Sequence, residues 1–226
     1  MRKHLAYIKY FFYLGWNWNF RLASIITWYE IVGEKKYGIH TTGIYDLTSS
    51  VAEESRVHAS IYQPINYYVA EWLFKQVTPD EMHQNRFLDA GCGKGRALAM
   101  AAYNGFKKIT GFDISPKLCH EAIETVGSIF NKYPGTDFEV LQEDARFFNI
   151  PDDTGVIFLF NPFDKTIMKP FVNNVLESIK RRPRKIIVLY ANPECRQIWE
   201  DAGFVKIAEV KKLNWLQGMV FTNSPQ

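Results

Sequence analysis

Apolar residues follow two different rhythms along this chain, and the change comes near residue 80. Residues 5–32 are crowded with aromatics, among them Tyr10, Phe11, Phe12, Trp16, Trp18 and Trp28, and read as two helices, 5–14 and 18–32. The break between them is expected near Gly15, and Gly33 should end the second. Residues 33–60 are polar and turn-rich, which predicts an irregular connector. Pro64 is placed to open a helix running to about Val77, with Ile65, Tyr68, Val69, Trp72 and Leu73 on one side. Beyond Pro79, short apolar runs alternate with helical periodicity. Strands are expected near 86–90, 108–113, 138–142, 155–160 and 185–190, and helices near 95–104, 116–131, 165–181 and 194–202. Short strands separated by helices predict a parallel sheet covered on both faces. The last two runs, Phe204 to Leu213 and Gly218 to Thr222, are joined too closely for a crossover and should pair antiparallel. The fold class is therefore α/β: a doubly wound, mostly parallel sheet with a C-terminal antiparallel hairpin, preceded by an aromatic-rich helical cap. The expected division is a cap and connector over 1–60 and the main domain over 61–226.

Composition narrows this picture in a few places. With 226 residues, 47% of them apolar, the chain can bury a substantial core. A net charge of +3 is too small to imply nucleic acid, which is disfavoured as a partner. The basic run Lys180-Arg181-Arg182-Pro183-Arg184-Lys185 reads as a solvated helix end. Cys92, Cys119 and Cys195 have neither zinc spacing nor a disulfide framework and read as buried thiols, which favours a reducing, cytoplasmic setting. No metal site is expected. The N-terminal segment is too interrupted, by Asn17, Asn19, Arg21 and Glu30, to span a membrane. Residues 1–32 read first as an arm packed on their own domain or on a second copy of the chain. The alternative is a peripheral contact with a membrane surface, because aromatic and basic residues suit the headgroup boundary.

The candidate chemistry lies in Phe87-Leu88-Asp89-Ala90-Gly91-Cys92-Gly93-Lys94-Gly95-Arg96. An apolar strand runs into glycines at alternate positions, and a helix follows. Glycines there let the backbone turn tightly and let a ligand approach closely. The dinucleotide fingerprint is G-x-G-x-x-G. Here the spacing is one residue shorter, and Asp89 would repel a pyrophosphate while suiting a ligand with an amino group and a sulfonium. Asp113 closes the next strand, where a carboxylate can accept hydrogen bonds from ribose hydroxyls.

This pattern resembles motif I of the class I methyltransferases that use S-adenosylmethionine, and the resemblance runs from about Phe87 to the C-terminus. It implies that Asp89, Gly91, Gly93 and Gly95 hold the methionine end of the cofactor. Asp113 would take the ribose and Ile114 would pack on the adenine. Glu143-Asp144-Ala145 is similar to the adenine-reading turn, with capping of that turn as the alternative role for Asp144. Phe160-Asn161-Pro162-Phe163 resembles the catalytic loop of methyltransferases acting on nitrogen, which implies contacts of Asn161 with cofactor or acceptor and a wall of the acceptor pocket from Phe163. The match departs from the family pattern: the second proline is missing, the aromatic comes one residue early, and Asp164 stands in its place. Tyr62 is a further candidate for the substrate side, with an ordinary packing role as the alternative. The expected activity is methyl transfer from S-adenosylmethionine to an unidentified acceptor, a protein side chain or a small molecule, with nitrogen slightly favoured. The competing readings are a non-catalytic binding or scaffold protein on the same fold, and a nicotinamide-dependent oxidoreductase, which the glycine spacing and Asp89 disfavour.

Overall fold

In the computed structural model, described over residues 2–43, 63–213 and 215–224, eight α-helices and seven strands are present among the described residues. The strands are β1 (Arg86–Ala90), β2 (Lys108–Asp113), β3 (Asp137–Gln142), β4 (Thr154–Phe160), β5 (Ile187–Ala191), β6 (Val205–Lys212) and β7 (Leu216–Thr222). They form one sheet in the order β3-β2-β1-β4-β5-β7-β6. Strands β1 to β5 pair in parallel, and β7 runs antiparallel to both β5 and β6. The order of connection reverses between β1 and β4, and in open sheets of this kind ligands sit at the carboxyl ends of the strands beside that reversal.

The helices are α1 (Arg2–Asn17), α2 (Phe20–Tyr37), α3 (Tyr67–Phe74), α4 (Pro79–Gln84), α5 (Arg96–Asn104), α6 (Pro116–Ile129), α7 (Lys165–Arg181) and α8 (Arg196–Asp201). The central strands carry Leu88, Ile109, Ile157, Leu159, Val188 and Leu189 fully buried. Two apolar clusters result. One contains Phe74, Phe87 and Phe158 and extends to Tyr10, Leu14, Leu22 and Ile26 of the first two helices. The other packs Phe112, Phe171, Trp199 and Phe221 together.

The strand and helix pattern beyond residue 80 follows the expectation closely. Four points before it need correction. Gly15 does not break a helix: α1 continues to Asn17, and a Cβ at Gly15 would run into the ring of Phe20. Gly33 does not end α2. That helix continues to Tyr37 and is closed by Gly38, whose φ of 72° is the left-handed conformation of a C-cap. A Cβ at Gly33 would collide with the ring of Tyr67, so the residue brings α2 against α3. The third helix starts three residues after Pro64, because the Asn66 side chain accepts the amide hydrogen of Tyr68 and serves as N-cap. Finally, α4 was not anticipated. Thr78 and Glu81 form a reciprocal capping box around Pro79.

The N-terminal arm is packed on one side only. Tyr10, Leu14, Leu22 and Ile26 are buried, while Leu5, Ile8, Phe12, Trp16, Phe20 and Trp28 are exposed, Trp16 by 74%. No helix among the described residues is long and apolar enough to cross a membrane. The three cysteines are buried and unbridged, and no metal-binding cluster occurs among the described residues. The basic run is tied into the fold: Arg184 donates to the carbonyls of Thr154, Ser178, Arg182 and Pro151, Arg181 pairs with Asp152, and Lys185 pairs with Glu81.

Candidate active site

A cavity of about 370 Å³ opens at the carboxyl ends of β1, β2 and β4. Of the expected site residues, Asp89, Gly91, Gly93, Asp113, Ile114, Asp144, Ala145, Asn161 and Phe163 all line it. Gly95 does not. It is the N-cap of α5, with φ 78°, and a Cβ there would lie 3.3 Å from Ala122 of α6, so it sets how the helix packs rather than the cavity wall. Tyr62 lies outside the described residues.

The floor of the cavity is acidic. Asp89 is 3% exposed, and among the described residues nothing donates a hydrogen bond to its carboxylate. Burial, and then the charge of Asp113, push its pKa well above the ordinary aspartate value. Asp113 is 8% exposed; burial raises its pKa as well, and backbone hydrogen bonds partly offset the rise. One carboxylate oxygen accepts the Gly93 amide at 3.0 Å and the other accepts the Ser115 amide at 2.9 Å. Asp113 thereby pins the glycine loop from the neighbouring strand. The Cys92 thiol is pushed up by burial and then by the two aspartates. A buried carboxylate without a counter-charge is costly unless a cation completes it. A pyrophosphate would add repulsion here, so the electrostatics oppose a dinucleotide.

The rim has three parts. Asp144 does cap its turn, accepting the Arg146 amide at 2.9 Å, and it also pairs with the Arg146 guanidinium at 2.6 Å. Asn174 of α7 fastens this turn by donating to the carbonyls of Ala145 and Arg146. The second part is the loop after β4. Asn161 adopts a φ of 38°, and its Oδ1 is buried with no partner. Pro162 follows against the glycine loop, where a Cβ at Gly91 would lie 2.5 Å from the Pro162 Cβ. Phe163 rests on Phe171 at 5.6 Å between ring centroids. Asp164, the departure from the expected pattern, is the N-cap of α7, accepting the amides of Thr166 and Ile167.

The third part was missed in the sequence. Asn192 and Glu194, after β5, line the same cavity. Asn192 again precedes a proline and again has positive φ, 47°. The recurrence of an apolar strand ending in Asn-Pro, at 161–162 and at 192–193, was the available signal. Arg96 also lines the cavity and was missed. It opens α5, where a positive charge opposes the helix dipole. Its guanidinium is held by both oxygens of Glu30 at 2.8 and 2.7 Å, by Thr41 Oγ1 and by the Ile65 carbonyl, and it stacks 4.1 Å from the Tyr67 ring centroid. Glu30 belongs to α2, so the N-terminal arm reaches the first residue after the glycine loop. Beside it, burial acts to raise the pKa of Glu34, but hydrogen bonds from Thr42, Tyr7 and His40 outweigh this and hold it below the ordinary value.

Comparison with known proteins agrees with this geometry. Residues 87–184 match the profile of a family described as a methyltransferase domain. No curated protein matches the chain. Among solved structures, magnesium protoporphyrin IX methyltransferase from Synechocystis PCC 6803, with bound SAM, superposes with a TM-score of 0.52 at 17% identity, covering 70% of this chain and 77% of that one. Ribosomal protein L11 methylase from Lactobacillus delbrueckii subsp. bulgaricus gives 0.51 at 15% identity, covering 70% and 88%. The StiE O-MT structure gives 0.52 at 11% identity, covering 70% and 73%. At such identities these likenesses establish the fold, and their different names show that the fold leaves the acceptor open. Residues 87–184 thus match a methyltransferase-domain model, and the seven-stranded fold around them is the class I S-adenosylmethionine-dependent methyltransferase fold.

Proposed function

We propose that the cavity holds S-adenosylmethionine across Asp89, Gly91, Gly93, Asp113, Ile114, Asp144 and Ala145, and that the methyl acceptor meets it at Asn161 and Phe163. The cofactor, when bound, supplies a methyl group already activated on a sulfonium. The observation that carries this reading is the pair of unsatisfied groups in one cavity: the buried carboxylate of Asp89 and the buried Oδ1 of Asn161. Asp89 would receive the cation of the methionine end. Asp113 would hold the ribose while keeping the glycine loop in place. Ile114, 36% exposed at the wall, offers an apolar surface to a flat base.

Asn161 Oδ1 only accepts hydrogen bonds, so it fits an acceptor heteroatom that still carries hydrogen. Nitrogen, with its hydrogens, is the favoured class. Holding that atom in line is the main contribution asked of the protein. The arm over residues 2–43 belongs to the catalytic unit in this reading, because Glu30 supplies a partner of Arg96 and the arm shares a core with Phe87. Calorimetry with S-adenosylhomocysteine tests the assignment. Asn161→Ala should keep its affinity within about threefold while turnover falls by 10²-fold or so, the scale of losing one positioning contact. Equal loss of binding and turnover would move Asn161 from the acceptor to the cofactor.

A further inference from the structure

Next to the cofactor cavity lies a second chamber of about 310 Å³. The two share Gln63, Pro64, Ile65, Phe160, Asn192 and Glu194, so a molecule in one abuts a molecule in the other. One side of the second chamber comes from the N-terminal arm, Tyr10 and Leu14 of α1 and Trp18, Leu22 and Ile26 at and in α2, and the other from the sheet edge, including Ala191 of β5 and Leu216 of β7, with Trp215 beside it. Trp18 and Trp215 pack edge to face at 6.3 Å in its wall. Apart from Asn66 and Gln217 these walls are apolar and aromatic, while the polar side chains Gln63, Asn192 and Glu194 stand on the shared edge. Size and lining match a small-molecule site, which is commonly a few hundred Å³ of apolar wall with few polar groups.

One further atom points to a ligand. Asn66 lines this chamber, is 8% exposed, and spends its Oδ1 on capping α3. Its Nδ2 is buried with no partner. A donor left unpaired in an apolar wall costs free energy unless something in the chamber accepts from it. A charged occupant would lose its hydration against these walls with no counter-charge beyond the shared edge.

We propose that this second chamber holds the body of the methyl acceptor, an uncharged, largely apolar small molecule carrying one hydrogen-bond acceptor for Asn66, and that its nucleophilic nitrogen or oxygen crosses the shared edge at Phe160 to reach Asn161 in the first cavity. The proposal rests on the reading of the first cavity as the S-adenosylmethionine site. The heteroatom gains its bond to the methyl carbon as the sulfonium's S–C bond breaks with its electron pair, leaving a neutral thioether. The positive charge passes to the acceptor, which releases its proton to the exposed carboxylate of Glu194 and so to water. A lysine side chain reaching in from a protein would use the mouth and leave the aromatic walls empty.

The uncharged dye N-phenyl-1-naphthylamine probes the chamber, and S-adenosylhomocysteine calorimetry on the full chain reports the first cavity separately. The dye should bind with enhanced emission and should not be displaced by S-adenosylhomocysteine. Ile26→Trp fills the chamber, and Trp18→Glu places a charge on a half-buried wall position, which keeps the test open if the first variant fails to fold. Each should weaken dye binding at least tenfold and leave S-adenosylhomocysteine affinity within twofold. With cofactor labelled in the methyl group and a cell lysate, label should enter the chloroform-soluble fraction. Displacement of the dye by S-adenosylhomocysteine, unchanged dye affinity in a folded variant, or label confined to protein or nucleic acid would overturn the acceptor assignment while the cofactor reading stands. Dye binding without any S-adenosylhomocysteine binding would sink the cofactor reading and this proposal with it.

Discussion

Glu30 offers the sharpest test of how the arm and the glycine loop are joined. Its carboxylate is 0% exposed and meets the Arg96 guanidinium through two hydrogen bonds of 2.8 and 2.7 Å. Removing one member of such a buried pair costs about 3–5 kcal/mol, chiefly because the other charge is left without its partner. In Glu30→Ala, Arg96 would keep Thr41 Oγ1 and the Ile65 carbonyl, and Glu34 stands 4.0 Å away. Those remnants place the expected loss at the lower end, about 3 kcal/mol. For a chain of this length that is a fall in Tm of about 6–12 °C. Urea unfolding followed by circular dichroism measures it, with an unchanged slope against denaturant. The loss should persist at high salt, since buried pairs are poorly screened. In a double-mutant cycle, Glu30→Met with Arg96→Met should lose less than the sum of the single changes. A Glu30→Ala variant within about 1 kcal/mol of the parent, on the scale of an exposed ion pair, would refute the claim that this bridge holds the arm.

Three further outcomes follow from the site. Asp89→Asn should stabilise the ligand-free protein at neutral pH and weaken S-adenosylmethionine binding; a carboxyl whose folded pKa is raised loses stability as pH rises from its unfolded value through the folded one, so thermal melts should show the gain shrinking toward pH 4, and a gain independent of pH would argue against a buried ionising carboxylate. Asp113→Ala should reduce S-adenosylhomocysteine affinity at least tenfold by calorimetry and lower stability by about 1–3 kcal/mol, because the Gly93 amide loses its acceptor; unchanged affinity would remove Asp113 from the ribose. Gly91→Ala combines a φ of 76° with a Cβ 2.5 Å from that of Pro162, so it should displace the Asn161 loop and cut turnover more than stability, and a fully active variant would show that the two loops are not in register.

The order of strands and helices in the sheet and the floor of the first cavity were legible in the sequence alone. Strand and helix rhythm is local information, and the run from Phe87 to Arg96 encodes a strand, a turn and a helix start within ten residues. The ends of α7 at Lys165 and Arg181 were legible for the same reason. Two kinds of feature were decided only by the tertiary structure. The first is the meaning of Gly15 and Gly33. Sequence rules make a glycine among helical residues a stop, but here each is the point where a neighbouring ring, Phe20 or Tyr67, comes too close for a Cβ. The second is the assembly of distant polar groups. Nothing local links Glu30 to Arg96 across 66 residues, or brings Asn192 and Glu194 to the cavity of Asn161. Their placement follows from the reversal of strand order at β1 and β4 and from the arm folding back on α3 and α5. A charged residue in an aromatic helix states that a partner is needed; only the packed chain says which one, because burial has made any other arrangement too costly.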